Sequence, residues 1–195
     1  MDSYADELKA LIDELGIEKV VLAGLSMGGY IAFAFLRKYP DAVAALVLAD
    51  TRAEADPPEG IEKRSGQQKL VQSEGTAGLI EALTGALLSD HTKTNRPDVV
   101  DAVRAAMDNP AHSFVGELEA MKGRPDSTDG LTKIAVPTLI IVGENDGVTP
   151  PDASRKMHEH IAGSKLVVLP NAGHISNLES PDEFNGALAE FLGAI

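Results

Sequence analysis

The run Lys19-Val20-Val21-Leu22-Ala23-Gly24-Leu25-Ser26-Met27-Gly28-Gly29 joins two kinds of sequence. Its first part, residues 19–23, is apolar and rich in β-branched side chains, which predicts a buried strand. The residues that follow it, 30–38, carry apolar side chains at helical spacing and end before Pro40, which predicts a helix. Ser26 therefore lies at the turn between a buried strand and a helix, with a glycine two positions before it and another two positions after it.

This arrangement is the Gly-x-Ser-x-Gly nucleophile elbow, a strained turn that presents a serine hydroxyl for chemistry. We expect glycine at positions 24 and 28 because a bulky residue there would collide with the neighbouring backbone. The start of the next helix directs backbone N–H groups and a positive dipole end at the same point, which makes the N–H of Met27 a candidate oxyanion donor. The alternative interpretation is a glycine-rich turn with an inert serine.

The bulk composition limits the class of protein. The chain has 195 residues, of which 44% are hydrophobic, so it can form one domain with a sizeable core. Its net charge of −13 argues against nucleic acid and anionic membrane surfaces as partners. It has no cysteine, no apolar run of membrane-spanning length and no secretory pattern in the first twenty residues. We therefore expect a soluble, cytoplasmic protein without disulfides.

Further apolar runs predict the rest of a parallel sheet. Strands are predicted at 43–49, 137–142 and 165–169, each separated from the next by helical patterns. A first helix is predicted at 3–15, with one face formed by Tyr4, Leu8, Leu11, Ile12 and Leu15, and further helices at about 151–161 and from Pro181 onward. Ser180 and Glu183 have the spacing of a capping box for the last helix. The predicted fold class is α/β, with about four mostly parallel strands flanked by helices.

The segment 52–131 differs from the rest because it contains no convincing buried strand. Helical patterns occur at about 60–74, 76–89, 97–108 and 112–122. We interpret 52–131 as a helical cap inserted into a core formed by 1–51 and 132–195. An insertion at the carboxyl edge of a parallel sheet would cover a site there. The alternative interpretation is a set of ordinary surface helices.

Three residues that could perform chemistry follow the carboxyl ends of predicted strands. Ser26, Asp146 and His174 can converge there because those ends share one edge of a parallel sheet. Their order along the chain is one of the known orders of a catalytic triad. In that chemistry His174 takes the proton of Ser26, and Asp146 fixes the imidazole tautomer and stabilises the imidazolium.

Other candidates for these roles are weaker. The rival acid is Asp50, which follows the second predicted strand. His158 and His160 are two positions apart in a predicted helix and therefore face different directions, and His91 and His112 have no acidic partner in view. No spacing of histidines and carboxylates suggests a metal site, and no glycine pattern suggests a dinucleotide, so neither a metal nor a cofactor is expected.

Three motifs, taken together, resemble a known family. Gly24-Leu25-Ser26-Met27-Gly28-Gly29, Gly143-Glu144-Asn145-Asp146-Gly147-Val148-Thr149-Pro150 and Asn171-Ala172-Gly173-His174 look like the α/β-hydrolase superfamily, and in particular its esterase and enol-lactonase-like branch. Leu48-Ala49-Asp50-Thr51-Arg52 is similar to the same branch. The resemblance implies a serine hydrolase with a helical cap, with Ser26 as nucleophile, Asp146 as acid, His174 as base and the Met27 N–H in the oxyanion hole.

This sequence also departs from the family pattern in one respect. The predicted strands look like the fifth to eighth strands of the family sheet, so the earlier strands and the loop that usually supplies a second oxyanion donor are not in this sequence. Losing one such donor typically costs roughly 10²–10³ in turnover. We therefore consider a truncated form, half of a protein completed by another chain, and a minimal hydrolase that dimerises. The last is favoured because the remaining core motifs are all present.

The favoured dimer pairs residues 19–23 of two copies across the open sheet edge. The backbone near Gly16-Ile17-Glu18 of one copy would then lie near Ser26 of the other and supply the second donor. The expected function is hydrolysis of a small carboxylic ester or lactone through an acyl-enzyme. The alternatives are a cofactor-free haloperoxidase or enol-lactonase activity, carbon–carbon bond hydrolysis, or a non-catalytic binding or assembly module, because the motifs alone do not fix the reaction.

Overall fold

A computed structural model describes residues 1–195, in which helices and strands alternate along the chain. The strands are Val20–Leu25 (β1), Val43–Ala49 (β2), Thr138–Gly143 (β3) and Lys165–Leu169 (β4). The α-helices are Asp2–Glu14 (α1), Met27–Lys38 (α2), Pro58–Glu74 (α3), Ala77–Leu87 (α4), Asp90–Asn95 (α5), Pro97–Ala106 (α6), Ala111–Lys122 (α7), Pro151–His160 (α8), Ser176–Glu179 (α9) and Pro181–Leu192 (α10). Short 3-10 helices lie at Pro40–Ala42 and Thr128–Lys133.

The four strands form one parallel sheet in the order β1-β2-β3-β4. The predicted α/β class with a parallel sheet is confirmed, and β2 and β4 begin and end at the predicted residues. All six residues of β3 are buried, as a central strand covered on both faces requires. β1 and β4 each pair on one side only, so each leaves one edge of the sheet open.

Alternate residues of the central strands face two different helical layers. Leu46 and Leu48 of β2 pack in the larger core cluster with α1, α2 and α8. Ala45 and Val47 of the same strand pack in a second cluster with Phe191 of α10. This alternation is what an apolar strand produces when helices cover both faces of its sheet.

Helices α3–α7 all lie between β2 and β3 in the chain and will be called the inserted helices. They contain a small core of their own, formed by Val71, Leu79, Phe114 and Leu118. At their base the two connecting segments are joined by hydrogen bonds, from the N–H of Ser127 to the carbonyl of Ala53 and from the N–H of Ala55 to the carboxylate of Asp126.

Several local expectations need correction. The short helices α5 and α9 were not predicted, because segments of six and four residues are too short for a helical period to show. Of the apolar face predicted for the first helix, Ile12 is buried and Tyr4 and Leu8 are half-buried, whereas Leu11 and Leu15 are exposed. Ser180 makes no side-chain cap bond, so the predicted capping box is not formed. None of the helices has the length and apolar character needed to cross a bilayer.

Candidate active site

Ser26, His174 and Asp146 meet at the carboxyl edge of the sheet, although they are far apart in the sequence. Ser26 directly follows β1, Asp146 follows β3 by three residues, and His174 lies in the loop between β4 and α9. Nε2 of His174 is 2.8 Å from Oγ of Ser26, and Nδ1 is 2.8 Å from Oδ2 of Asp146. The structure thus forms a continuous hydrogen-bonded chain from hydroxyl to imidazole to carboxylate.

The turn that carries Ser26 is strained. Ser26 has a φ of 51°, a left-handed conformation that costs energy for a residue with a side chain. Its backbone is fixed on both sides: its N–H donates to the carbonyl of Ala49 at 2.9 Å, and its carbonyl accepts from the hydroxyl of Thr51 at 2.8 Å. The hydroxyl of Ser26 is therefore held at one place at the start of α2.

The glycines of this turn differ in what a Cβ atom would meet at each position. A Cβ on Gly24 would lie 2.3 Å from the carbonyl oxygen of Gly28, so the expected collision exists at position 24. A Cβ on Gly28 would have no atom within 4 Å, so a side chain as small as that of alanine meets no collision at position 28. Gly29 is the second crowded position, because its Cβ would lie 2.4 Å from Oγ1 of Thr51. That contact depends on a residue of another strand end, which the local motif does not reveal.

Asp146 is buried and receives several hydrogen bonds. Its Oδ1 accepts from the N–H groups of Val148 and Thr149, each at 2.8 Å, and its Oδ2 accepts from the hydroxyl of Thr149 at 2.7 Å. Burial alone would raise the pKa of Asp146, but the hydrogen bond and charge of His174, together with the Thr149 donors, outweigh it and hold that pKa below its ordinary value. Asp146 is therefore ionised at neutral pH.

The ionised carboxylate fixes the tautomer of His174. Since Oδ2 of Asp146 can only accept, Nδ1 of His174 carries the proton, and Nε2 is left as an acceptor facing the Ser26 hydroxyl. The backbone of His174 is held as well, because its N–H donates to the carbonyl of Leu87 in the inserted helices at 2.7 Å. Sequence reasoning missed both Thr149 and Leu87. Thr149 follows Asp146 closely enough to have been a candidate, whereas nothing in the sequence indicates Leu87.

The other sequence candidates lie apart from this hydrogen-bonded chain. Asp50 is fully buried, but it accepts from Gly143 and Ser176 rather than from the imidazole ring. The rings of His158 and His160 bond to groups near their own helix, and His91 bonds to Asn95. His112 is exposed on α7. No group of three or more His, Asp or Glu side chains is arranged to hold a metal ion.

Two further features involve residues that are adjacent in the chain to Ser26 and Asp146. Met27 is the first residue of α2, where a backbone N–H has no acceptor inside the helix and can turn toward an anion. An open cleft of about 340 Å³ lies between the inserted helices and the loop of Asp146; Leu88, Ser89, His91, Lys93, Asn145 and Gly147 are among the residues that line it.

Comparison with known proteins identifies a family and several relatives to which the chain is similar. A family model described as the alpha/beta hydrolase fold matches residues 1–181. A 2-hydroxy-6-oxononadienedioate/2-hydroxy-6-oxononatrienedioate hydrolase from Klebsiella pneumoniae is 34% identical over 209 residues, which cover 98% of this chain and 68% of that protein. The hydrolase of the same name from Escherichia coli K12 is 35% identical over 205 residues, with the same coverage of 98% and 68%.

Solved structures show the same similarity. A thermophilic esterase from Thermogutta terrifontis, with malate bound, superposes with a TM-score of 0.94 at 40% identity, covering 97% of this chain and 71% of that one. The enol-lactonase from Burkholderia xenovorans superposes with a TM-score of 0.88 at 27% identity, with the same coverage of 97% and 71%.

Proposed function

Because this chain belongs to the α/β-hydrolase family, we propose that it is a serine hydrolase that cleaves small carboxylic esters or lactones through an acyl-enzyme on Ser26. The observation that carries the proposal is the hydrogen-bonded chain Ser26–His174–Asp146, with both distances at 2.8 Å, built on a strained turn at the start of a helix. A helix-capping or surface role would require neither the burial of His174 nor the strain at Ser26.

In the first half of the reaction Ser26 is the nucleophile. Nε2 of His174 accepts the hydroxyl proton as Oγ attacks the carbonyl carbon, which leaves a negative charge on the former carbonyl oxygen. His174 then gives that proton to the leaving alkoxide, so the alcohol departs and the acyl group stays on Ser26. For a lactone, the alcohol is part of the same molecule and stays attached to the acyl chain.

In the second half, water replaces the alcohol. His174 takes a proton from the water as its oxygen attacks the acyl carbon, and returns the proton to Oγ when the carboxylic acid leaves. Throughout, Asp146 keeps Nδ1 protonated and stabilises the imidazolium. The N–H of Met27 is the donor proposed for the oxyanion, since it belongs to the first turn of α2, where both N–H groups and the helix dipole favour negative charge.

The inserted helices are proposed to act as a cap, as residues 52–131 were interpreted from the sequence. This is supported by the hydrogen bond between His174 and Leu87, and by a cleft whose walls come both from these helices and from the loop of Asp146. A substrate in that cleft would contact the inserted helices on one side and, on the other, Asn145 and Gly147, which flank Asp146.

Esters are preferred as substrates because the esterase from Thermogutta terrifontis has 40% identity and a TM-score of 0.94. A second candidate is hydrolysis of a 2-hydroxy-6-oxo dienedioate, favoured by the names of the relatives at 34% and 35% identity. Lactone hydrolysis is supported by the enol-lactonase at 27% identity. The same three residues can serve each reaction, provided that in the dienedioate, where a carbon–carbon bond breaks, the leaving carbon receives the proton in place of the alkoxide. The substrate panel therefore decides among them.

The first test is hydrolysis of short-chain chromogenic esters by the wild type and by Ser26→Ala, combined with mass spectrometry after treatment with a serine-trapping phosphonate. We expect turnover by the wild type, loss of it in the variant, and an adduct on Ser26. A lactone and a 2-hydroxy-6-oxo dienedioate complete the panel. Absence of both turnover and adduct on every substrate would contradict the proposal and favour a non-catalytic binding module.

A further inference from the structure

We propose that Asp50 is a positioning residue of the site, one whose buried carboxylate holds the loop of Asp146 and the loop of His174 in a fixed relative position. The inference rests on the proposed hydrolase function and adds a residue to it. Asp50 is not part of the Ser26–His174–Asp146 chain, and the mechanism above does not use it.

The position of Asp50 in the fold is unusual for its residue type. It follows β2 directly, has a φ of 44° and is fully buried. A left-handed conformation is uncommon for a residue with a side chain and persists only where the surroundings hold it. Its own N–H donates to the carbonyl of Ile141 in β3 at 2.9 Å, so the backbone of Asp50 is attached to the neighbouring strand.

The carboxylate of Asp50 bonds to the start of one loop and to the end of another. Oδ1 accepts from the N–H of Gly143 at 3.0 Å, and Gly143 ends β3 three residues before Asp146. Oδ2 accepts from the N–H of Ser176 at 3.1 Å and from its hydroxyl at 2.6 Å, and Ser176 lies two residues after His174. One side chain therefore bridges the segments that carry the proposed acid and base.

This arrangement suits an ionised carboxylate better than a neutral one. The Gly143 N–H and the Ser176 N–H can only donate, and a carboxylate can accept from both and from the hydroxyl. A protonated carboxyl must donate its own O–H, and of these three partners only the Ser176 hydroxyl can accept. Protonation of Asp50 would thus reverse the direction of the bond with the Ser176 hydroxyl and weaken the bonds from the N–H groups of Gly143 and Ser176.

The carboxyl group of Asp50 changes its charge near neutral pH. Burial raises the pKa of Asp50 to about 7, in spite of the donors from Ser176 and Gly143 and the charge of His174, which act in the opposite direction. The groups that lower this pKa are Gly143 of β3, Ser176 of α9 and, when its ring is protonated, His174 in the loop after β4. Both states of the carboxyl are therefore populated near neutral pH.

The test compares Asp50→Asn with the wild type, because asparagine has the shape of a neutral carboxyl group and keeps one acceptor. A displacement of about 1 Å in catalytic geometry can cost as much as 10² in rate. We expect kcat to fall tenfold or more at pH 8 with KM changed less than threefold. The ratio of wild-type to variant kcat should shrink as the pH is lowered through 7, since the wild-type residue then also becomes neutral. A purely structural role gives a ratio that does not vary with pH.

A second variant keeps the test decisive if Asp50→Asn folds poorly. Ser176→Ala removes only the hydroxyl bond and should lower kcat about threefold to tenfold. Its matched control is Ser154→Ala in α8. This variant also removes a fully buried serine hydroxyl, but that hydroxyl makes no hydrogen bond. This control should retain wild-type activity.

The outcomes separate this inference from the function on which it rests. If Ser26→Ala is inactive while Asp50→Asn and Ser176→Ala keep wild-type kcat at every pH, the function holds and the role of Asp50 is overturned. If Ser26→Ala retains turnover, the hydrolase proposal itself fails. Loss of activity in both Asp50→Asn and Ser176→Ala, with the pH-dependent ratio described above, supports the inference.

Discussion

The backbone N–H of His174 donates to the carbonyl oxygen of Leu87 over 2.7 Å, so the proposed base is attached directly to the inserted helices. Glu179 strengthens the same junction. Its Oε2 accepts from the N–H of Ser89 and its Oε1 from the N–H of Gly173, each at 2.9 Å. One buried carboxylate thus joins the turn between α4 and α5 to the residue before His174, so the inserted helices and the loop of the proposed base are connected at this point.

We predict that Glu179→Gln lowers kcat and raises KM together. The amide group of glutamine would turn a donor toward N–H groups that need acceptors, which leaves a buried donor unsatisfied at a cost of about 1–3 kcal/mol. Both the position of His174 and the wall of the cleft depend on this junction. Steady-state kinetics on the ester substrate measure the effect, with Glu190→Gln as control because that exposed carboxylate pairs only with Lys165. Unchanged constants in Glu179→Gln would contradict the assigned role.

Thr149 supports Asp146, and its removal gives a second prediction. Its hydroxyl donates to Oδ2 of Asp146 at 2.7 Å and lies 3.2 Å from Nδ1 of His174. Thr149→Val keeps the shape but removes this donor from an ionised acceptor, so we expect kcat to fall about tenfold, equivalent to ~1.4 kcal/mol. Thr138→Val is the matched control, since Thr138 is equally buried but lies at the start of β3, away from the site. Equal kcat in the two variants would argue against a role of Thr149 in holding Asp146.

Much of the fold is predictable from the sequence for a simple physical reason. Each strand is a short apolar run next to a helical pattern, and each of the proposed catalytic residues lies within a few positions of a strand end. Parallel strands bring those ends to one edge, so Ser26, Asp146 and His174 could be expected to meet without knowledge of the tertiary structure.

The supporting residues could not be assigned in the same way, because their partners are distant in sequence. Glu179 bonds to an N–H 90 residues away, and Asp50 bonds to groups 93 and 126 residues away. From sequence, Asp50 was a rival for the role of triad acid, and only the geometry shows that Asp146 is the residue bonded to the imidazole. The crowding at Gly29 could not be predicted for the same reason, since it comes from the side chain of Thr51, which lies outside the motif.

Paired glycine substitutions test the geometry of the serine turn. In Gly24→Ala the new Cβ would lie 2.3 Å from the carbonyl oxygen of Gly28, and backbone cannot move aside as a flexible side chain can. We expect loss of activity and a lower melting temperature. Gly28→Ala meets no atom within 4 Å and should keep near-normal activity and stability, although both positions belong to the same motif. Activity assays with thermal unfolding by circular dichroism measure both effects, and equal damage in the two variants would overturn this account of the turn.

Asp56 gives a prediction about stability rather than activity. It is buried and bonds to the guanidinium groups of Arg52, Arg64 and Arg124 at 2.5, 2.5 and 2.9 Å. Burial by itself would raise the pKa of Asp56, but the hydrogen bonds and charges of Arg124 and Arg64 outweigh it and lower that pKa strongly. Asp56→Asn should lower the free energy of unfolding by about 3–5 kcal/mol at pH 7, since it leaves the buried Arg124 and the half-buried Arg52 and Arg64 without their anion.

The pH dependence of this effect follows from the direction of the shift. A lowered folded-state pKa stabilises the fold at pH values above the unfolded pKa, 3.8, and this contribution is lost as the pH falls through the folded pKa. The difference in the free energy of unfolding between the wild type and Asp56→Asn, measured by urea unfolding, should therefore shrink below about pH 4. Asp90→Asn, at an exposed carboxylate paired with Lys93, should change stability little at any pH. A difference that stays constant down to pH 3 would contradict the assigned pairing.

The open edge of β1 leads to the last prediction, a homodimer. β1 pairs only with β2, and Val21 on that strand is 41% exposed. Leu11, Leu15 and Ile17, which precede it in the chain, are exposed as well. Unpaired strand edges with apolar side chains favour pairing with another strand. We propose that two copies pair their β1 strands antiparallel, which would extend the sheet across a two-fold axis and bring backbone of one copy toward Ser26 of the other.

Sedimentation equilibrium on the wild type, Val21→Lys and Val168→Lys tests this dimer. A lysine on the β1 edge should disrupt the pairing and give a monomer, because its charge would have to be buried in the interface, against the β1 strand of the second copy. Val168 has a similar exposure of 37% but lies on β4, at the opposite edge, so its variant should stay dimeric. If the second copy supplies an oxyanion donor, Val21→Lys should also lose turnover in proportion to the lost dimer, while its Ser26 environment stays folded. A wild type that is monomeric and fully active across the concentration range would exclude the dimer and the shared donor together.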